Sequence, residues 1–576
     1  MRVTTTKSKN AESFYITQSY TNSDGKSTSK IVRKLGTLQD LCKKLGTDRD
    51  GVMAWAKEQA RIETKKYKQG QEQRLVHVTF HADKQLEYDR QKLFEGGYLF
   101  PQSIYYSLRL DKVCRKIRDK HDFEFDLNAI LSDLIYARIL DPGSKLSSFQ
   151  SAKKFLEAPT YQIHDIYRAL SVLSEECDLI QAETYKNSRF LGKRCDQILY
   201  YDCTNYYFEI EQEDDLRKYG KSKEHRPNPI VQMGLFTDGE GIPLAFSLFP
   251  GSQNEQKSVK PLEKKILQDF HCEKFVYCSD AGLGSEDNRI FNHMGQRAFI
   301  VTQSIKKLPK EEREWALKKS GFRCVKDDSL IDLDKLSEDD KNALFYKEVP
   351  FTTKQLHQRL IITYSPKYAE YQRAIRQKQI DRAKIMIDSG NAKRQSKNPN
   401  DPARFIQKIA VTNEGEVAEK KSIQLDYEKI EQEAQYDGLY AVCTDLLDDE
   451  VSDILRVSEG RWQIEANFRI MKTDFSARPV FVRREDRIKA HFLICFLSLM
   501  IFKFLERKLQ NKYTYELILD TLRSVKFADI NGQGFMPLYI RNNLTDDLHT
   551  ACGFRTDFQF ISKSKMQNIQ KISKNR

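Results

Sequence analysis

Between residues 460 and 475 the apolar positions fall on one helical stripe. Ile464, Phe468, Met471 and Phe475 stand at i, i+4, i+7 and i+11, and no proline interrupts them. Beside the stripe, Arg461, Glu465 and Lys472 share one face at i, i+4 and i+11. The pattern predicts a carboxylate at the edge of a core, with a cation one turn before it and another two turns after. That grouping suits a metal-bound carboxylate with phosphate-gripping neighbours. A surface helix with an ordinary i,i+4 Arg–Glu pair has the same pattern.

The rest of the chain divides by its hydrophobic period. Residues 13–20 alternate in part, 22–25 carry a turn signal, and 28–35 return as a strand. A charged helix is predicted over 38–66, so residues 1–80 read as a small β-rich module, for DNA binding or as a spacer. Residues 81–195 read as helices and as a DNA-binding region. The strongest helix is 126–140, with Asp126 as N-cap and residues 141–143 as its stop. Tyr105, Tyr106, Arg109, Lys112, Arg115, Lys116 and Arg118 mix aromatic and basic character there. Such a mixture fits a phosphate-tracking face or a solvated one.

At 197 the period switches. Strands are predicted at 197–209, 230–236, 243–249, 274–280 and 298–303, with a hairpin turn over 237–242 and helices over 258–270 and 285–295. The order β-β-β-α-β-α-β over 196–304 describes a mixed sheet with helices on its faces. From 305 to 450 the sheet pattern is interrupted, and an inserted domain is expected. It has short strands at 359–364 and 438–444, a charged helix over 368–387 and a loop over 398–402. The closing helices follow in 451–510: first the Glu465 helix, then a buried helix over 488–507. The last region, 511–576, holds a helix over 513–525 and a tail from 563 with five basic and no acidic residues, read as a flexible, phosphate-attracting end.

Composition narrows the function. The chain has 576 residues, 40% hydrophobic and 31% charged, which is too long for one core. A net charge of +13 points to a polyanionic partner. The apolar run 492–502 is too short to span a bilayer, and the N-terminus shows no apolar signal region, so nucleic acid is favoured over membrane. Eleven scattered cysteines without a C-x-x-C pair read as reduced thiols of a cytoplasmic protein. The histidines form no ligand motif, and no Walker A sequence occurs, so an ATP-driven enzyme is not expected.

Three carboxylates stand out by context. Asp202 lies inside a strand that reads as central, where an unpaired charge is costly and calls for a partner or a metal. Asp280 ends another buried strand, where sites gather in open α/β sheets. Glu465 borders the core on its helix. A site of hard oxygen donors predicts magnesium, with manganese as a substitute. A pair of such ions would activate a water or a 3′-hydroxyl at a phosphodiester. Glu459, six residues before Glu465, lies roughly 120° away round the helix, cannot share its direction and ranks lower.

With these residues in place, the chain resembles a DDE transposase of the insertion-sequence-4 superfamily, in its 1634-like branch. The likeness covers residues 195–505. It rests on Asp202 in its strand, Asp280 followed by Gly282, and Arg461, Glu465 and Lys472 in the spacing R-x3-E-x6-K. Ser458 stands where that signature has tyrosine. The resemblance implies an RNase H-like core holding two magnesium ions on Asp202, Asp280 and Glu465. It implies DNA contacts from Arg461, Lys472, Trp462 and Arg469, with Trp462 able to stack on an unpaired base. It also implies a nucleoid-associated bacterial protein that binds double-stranded DNA as a homodimer, at the element's terminal inverted repeats and at a target, with cut-and-paste chemistry. A catalytically silent DNA-binding protein and a structure-specific nuclease on the same fold are the alternatives.

Overall fold

Phe14 and Ile16 organise the N-terminal end of the chain. The strands β1 (Arg2–Lys7), β2 (Glu12–Thr21) and β3 (Ser27–Thr37) pair antiparallel in that order. Thr37 caps α1 (Leu38–Leu45), and α2 (Arg49–Glu72) follows. Leu41, Val52 and Ala56 close over Phe14, so one sheet face is covered by helices. The computed structural model describes all residues except 9–10, 22–26, 73–75, 354, 391–397, 399, 412–416 and 576. The turn expected over 22–25 lies outside the described residues, as does part of the 398–402 loop. Two compact units result, Met1–Tyr88 and Asp89–Arg576.

The second unit opens with a short strand, Leu93–Glu95, which pairs antiparallel with Lys526–Ile530, and continues with helices. In α3 (Leu127–Leu140) the Asp126 carboxylate accepts the Ala129 N–H at 3.0 Å, as an N-cap does. Next come α4 (Lys145–Ala152), α5 (Ile163–Glu175) and α6 (Cys177–Ser188). Tyr105 is buried and Lys116 pairs with Glu183, while Lys112, Arg115 and Arg118 stay exposed.

Lys145 is 3% exposed, and its ammonium has no hydrogen-bond partner among the described residues. Burial, with Arg138 nearby, pushes its pKa down to about 7. A lysine depressed on folding destabilises the fold fully below about pH 7. The cost fades as pH rises towards the unfolded value near 10.5. Lys145→Met is therefore expected to raise the urea midpoint clearly at pH 6 and only slightly at pH 9.5. Equal shifts at both pH values would refute the assignment.

The sheet follows as β4 (Ile198–Tyr207), β5 (Ile230–Asp238), β6 (Pro243–Pro250), α7 (Val259–Asp269), β7 (Val276–Ser279), α8 (Glu286–His293) and β8 (Ala298–Thr302). The chain adds β9 (Phe322–Cys324), β10 (Leu330–Ile331), β11 (Phe345–Thr352), β12 (His357–Tyr364), α9 (Pro366–Asp388) and β13 (Leu439–Thr444). All these strands form one sheet in the order β10-β9-β11-β12-β13-β8-β7-β4-β5-β6. The expectation of an interrupted sheet after 305 is thus corrected. β13 pairs antiparallel with β8, so the segment extends the sheet from its far edge.

α10 (Val451–Glu459), α11 (Trp462–Lys472) and α12 (Glu485–Lys508) pack on one sheet face. α12 is apolar on every side. By length and composition it could cross a membrane, but its apolar window is 89% buried inside the protein, as the core of a large fold requires. On the opposite face, Leu199, Tyr201 and Cys203 pack with α7. The tail read as flexible is instead the helix α13 (Lys563–Lys574), anchored by buried Met566 and Ile569. Its basic residues are spaced so that an apolar stripe remains between them. The described cysteines are free thiols.

Beneath the sheet, Arg194 and Asp238 form an ion pair at 2.5 Å, with both side chains fully buried. Asp238 accepts the Glu240 and Ile242 N–H groups of the β5–β6 turn, and Arg194 donates to the Ile242 and Pro243 carbonyls. The pair fixes the hairpin beside β4.

Candidate active site

β4 alternates sides with period two, so Tyr200, Asp202 and Tyr206 point to the face covered by α10–α12. β7 lies parallel to β4, with Tyr200 opposite Cys278. The pairing ends there, and two residues further along each segment come Asp202 and Asp280, near enough for the Asp280 charge to act on Asp202. Asp280 sits just past the end of β7, where its carboxylate accepts the Leu283 N–H at 3.1 Å. A Cβ on Gly282 would approach that carboxylate to 3.3 Å, so the small residue there leaves the carboxylate room.

The Asp202 carboxyl is pushed up to about 6, first by burial and further by the Asp280 charge, while Lys223 opposes the shift. Two carboxylates are thus held together against their own repulsion. Lys472 sits on the same face, with its ammonium 3.5 Å from Glu224 and over the Tyr206 ring. Burial pushes the Lys472 ammonium down to about 8, with Lys223 adding and Asp202 opposing. Lys223 donates to the Cys203 carbonyl and pairs with Glu255 at 3.4 Å. Lys223, Glu224 and Glu255 were not found from the sequence. The first two arrive on the loop 208–229, whose fold depends on contacts such as Asn205 with Lys221 and Lys223. No local pattern marks them.

α11 carries the third carboxylate. Its buried stripe is as predicted, with Ile464, Phe468, Met471 and Phe475 all at most 5% exposed. Arg461 precedes the helix and turns into the sheet, donating to Thr302 at 3.4 Å and to the Tyr440 hydroxyl at 3.2 Å. It makes no ion pair with Glu465 among the described residues, so the bland surface-pair reading does not hold. Tyr200 donates to the Val457 carbonyl, and a Cβ on Gly460 would lie 2.1 Å from the Tyr200 hydroxyl. The glycine therefore lets the α10–α11 joint close on the strand that carries Asp202. Arg138 clamps the other end of α11, donating to the Phe475 and Ser476 carbonyls.

Glu465 is exposed and lines a groove of about 330 Å³ with Arg461, Trp462, Glu459, Tyr368 and Tyr440. Glu459 shares that groove. The helical-angle argument against it fails because the chain breaks at Gly460 between two helices. Trp462 is 64% exposed. Arg469 is exposed and lies over the Tyr515 ring at 5.5 Å. The structure thus brings Asp202 and Asp280 together with Lys472, and sets Glu465 on the adjoining helix. Their ligand oxygens do not all lie within 4.8 Å of one another.

Among the described residues, that spacing is met by Asp546, His549 and Asp557 alone. This cluster reads as an ion-pair network. Arg541 and Arg555 occupy both carboxylates, and the Thr556 N–H donates to the His549 Nε2.

A family model described as "Transposase DDE domain" matches residues 194–501, more than half of the chain. No curated protein matches. The matched span starts at Arg194 and runs through β4, the whole sheet and α11 into α12.

Proposed function

The chain belongs to the DDE-domain transposases, and from that premise we propose that it cuts and joins the ends of an insertion element. The carrying observation is the parallel register of β4 and β7, which sets Asp202 beside Asp280 on the face where α11 packs. The order β6-β5-β4-β7-β8, with the first three strands antiparallel and the rest parallel, supports an RNase H-like core. R-x3-E-x6-K on α11 supports placement in the insertion-sequence-4 superfamily, near its 1634-like branch. Residues 1–80 and 81–195 are then DNA-binding regions. Residues 196–304 and 451–510 form the core, 305–450 an insertion that widens its sheet, and 511–576 a C-terminal region whose helices flank three short strands, Lys526–Ile530, Gly534–Pro537 and Ile561–Ser562. A homodimer on DNA in the bacterial cytoplasm completes the reading.

Members of this family generally use divalent metal ions. The donor set fits one: two neighbouring carboxylates, one of them strained by burial beside the other, call for a hard cation. Asp202 and Asp280 would hold magnesium, or manganese in its place, with Glu465 completing a two-ion site. Bound there, the metal would supply activation of a water or 3′-hydroxyl and stabilisation of the leaving oxygen. The chain's own residues set the geometry. One carboxylate on a strand and one at the end of its neighbour, tied to the Leu283 N–H, would keep their spacing through the cycle. Lys472 and Lys223 bring cationic charge beside Asp202, where a phosphate would approach. Arg461, fixed to Thr302 and Tyr440, borders the groove of Glu465 and Trp462, where an unpaired base could stack.

The test is a plasmid carrying the DNA that flanks the gene, incubated with the purified full-length chain. Magnesium-dependent 3′-end cutting and joined products are expected, both lost in EDTA. Cutting without joining would leave a nuclease, and binding without cutting a silent DNA-binding protein. In the same experiment Lys472→Ala should weaken end binding and make its salt dependence shallower by about one counterion. An unchanged slope would remove Lys472 from the phosphate path.

A further inference from the structure

Among the described residues, the helices of the N-terminal unit pack on one face of its sheet, and on the other face Thr17 of the central strand is only 6% exposed while the flanking positions are open. Val3, Thr5, Phe14 and Ile16 point to the helices, and Arg33 on that side pairs with Glu63 at 3.1 Å. The opposite face holds Arg2, Thr4, Thr6, Tyr15, Thr17 and Lys34 by strand alternation. The Thr4 and Thr17 hydroxyls lie 2.7 Å apart, which places them on that common face. Within the three strands the charges are Arg2, Lys7, Lys30, Arg33 and Lys34 against Glu12. Glu12 is neutralised by both arms of Arg49, at 2.8 and 3.0 Å. By the same alternation Lys7, Lys30 and Arg33 lie on the helix side, so the open face carries Arg2 and Lys34 among its hydroxyls, without a carboxylate.

Two further features lie at its margins. β1 covers β2 only as far as Thr17, opposite Arg2, while β2 and β3 stay paired on to Thr21 and Ser27. A two-stranded ribbon therefore projects beyond the sheet, with Tyr20 47% and Ile31 63% exposed. At the β1 edge, a cleft of about 730 Å³ against α2 is lined by Arg2, Lys57, Arg61, Lys65 and Lys68, with no carboxylate in its lining.

We propose that this open face and the projecting β2–β3 ribbon enter the major groove of duplex DNA, while the cleft along α2 grips the flanking phosphates. The charge pattern selects the partner: a polyanion matches both the face and the cleft. The shape selects the groove, since a major groove about 12 Å wide admits a two-stranded β-ribbon. Hydroxyls, Lys34 and exposed Ile31 are the side-chain types that meet base edges and thymine methyls there. The proposal rests on the transposase reading and assigns the recognition of the element end to this unit.

The experiment uses the full-length chain, the element-end duplex and a scrambled duplex of equal length. In Thr6→Ala/Ile31→Ala/Lys34→Ala, all at exposed positions, preference for the element end should fall about tenfold or more, since each lost base contact costs roughly that factor. Protection of guanine N7 in the major groove should disappear with it. Lys57→Ala/Lys65→Ala should weaken binding to both duplexes alike and lower the salt slope by about two. If the triple variant keeps the wild-type preference and N7 protection, the assignment is wrong. The same holds if it changes only the oligomeric state, which would give the face to a second copy of the chain. The readouts stay separable. Specific end binding without cleavage by the wild type would overturn the catalytic reading alone. Cleavage with unaltered recognition in the triple variant would overturn this inference alone.

Discussion

Asp202→Asn is expected to lower metal-dependent cleavage of the element end by about a thousandfold or more, with end binding intact. Asparagine keeps the size of the side chain and an oxygen to accept the Cys203 N–H, which Asp202 accepts at 2.7 Å. The strand and its packing should therefore survive. What is lost is the anionic donor that sits beside Asp280. A second readout makes the test independent of DNA. In the absence of metal, removing a carboxylate that is pushed up to about 6 by burial and by Asp280 should leave the fold as stable or more so. Magnesium should then raise the melting temperature of the wild type and not that of the variant, because only the wild type binds the ion in its folded state. Wild-type cutting by the variant, or an equal magnesium response in both proteins, would take Asp202 out of the site.

Arg194→Met should cost about 3–5 kcal/mol of stability, because it strands Asp238 as a fully buried, unpaired charge. The guanidinium also satisfies the Ser188 hydroxyl and the Ile242 and Pro243 carbonyls, so the loss reaches the β5–β6 turn as well. Arg194→Met/Asp238→Leu should recover part of the loss and not all of it. The Glu240 and Ile242 N–H groups still lose their acceptor in the double variant. Urea titration of the three proteins gives the coupling energy. A single-variant loss below about 1 kcal/mol would mean that the pair does not hold the hairpin.

Local period was enough to place several elements and their buried faces. The stripe of Ile464, Phe468, Met471 and Phe475 buried as expected, because a 3.6-residue period has one solution against a flat sheet. The strand and helix order from 198 to 302 was equally legible, since each element carries its own period and turn residues. Which strands become neighbours is a different kind of information. The approach of Asp202 to Asp280 depends on the parallel pairing of β4 with β7, and β12 and β13 join the same sheet although their sequence reads as a separate insert. Pairing partners are chosen by burial over the whole unit, which no window of sequence contains. The same holds for direction. Gly460 breaks one apparent helix into two and turns Glu459 into the groove of Glu465, Arg461 points into the sheet, and Arg469 lies over Tyr515. Lys223 reaches Asp202 only because its loop folds back onto β4. The sequence by itself determined the elements and the kinds of chemistry they carry. The tertiary structure decided which of those groups meet, because that depends on long-range packing that competes across the entire chain.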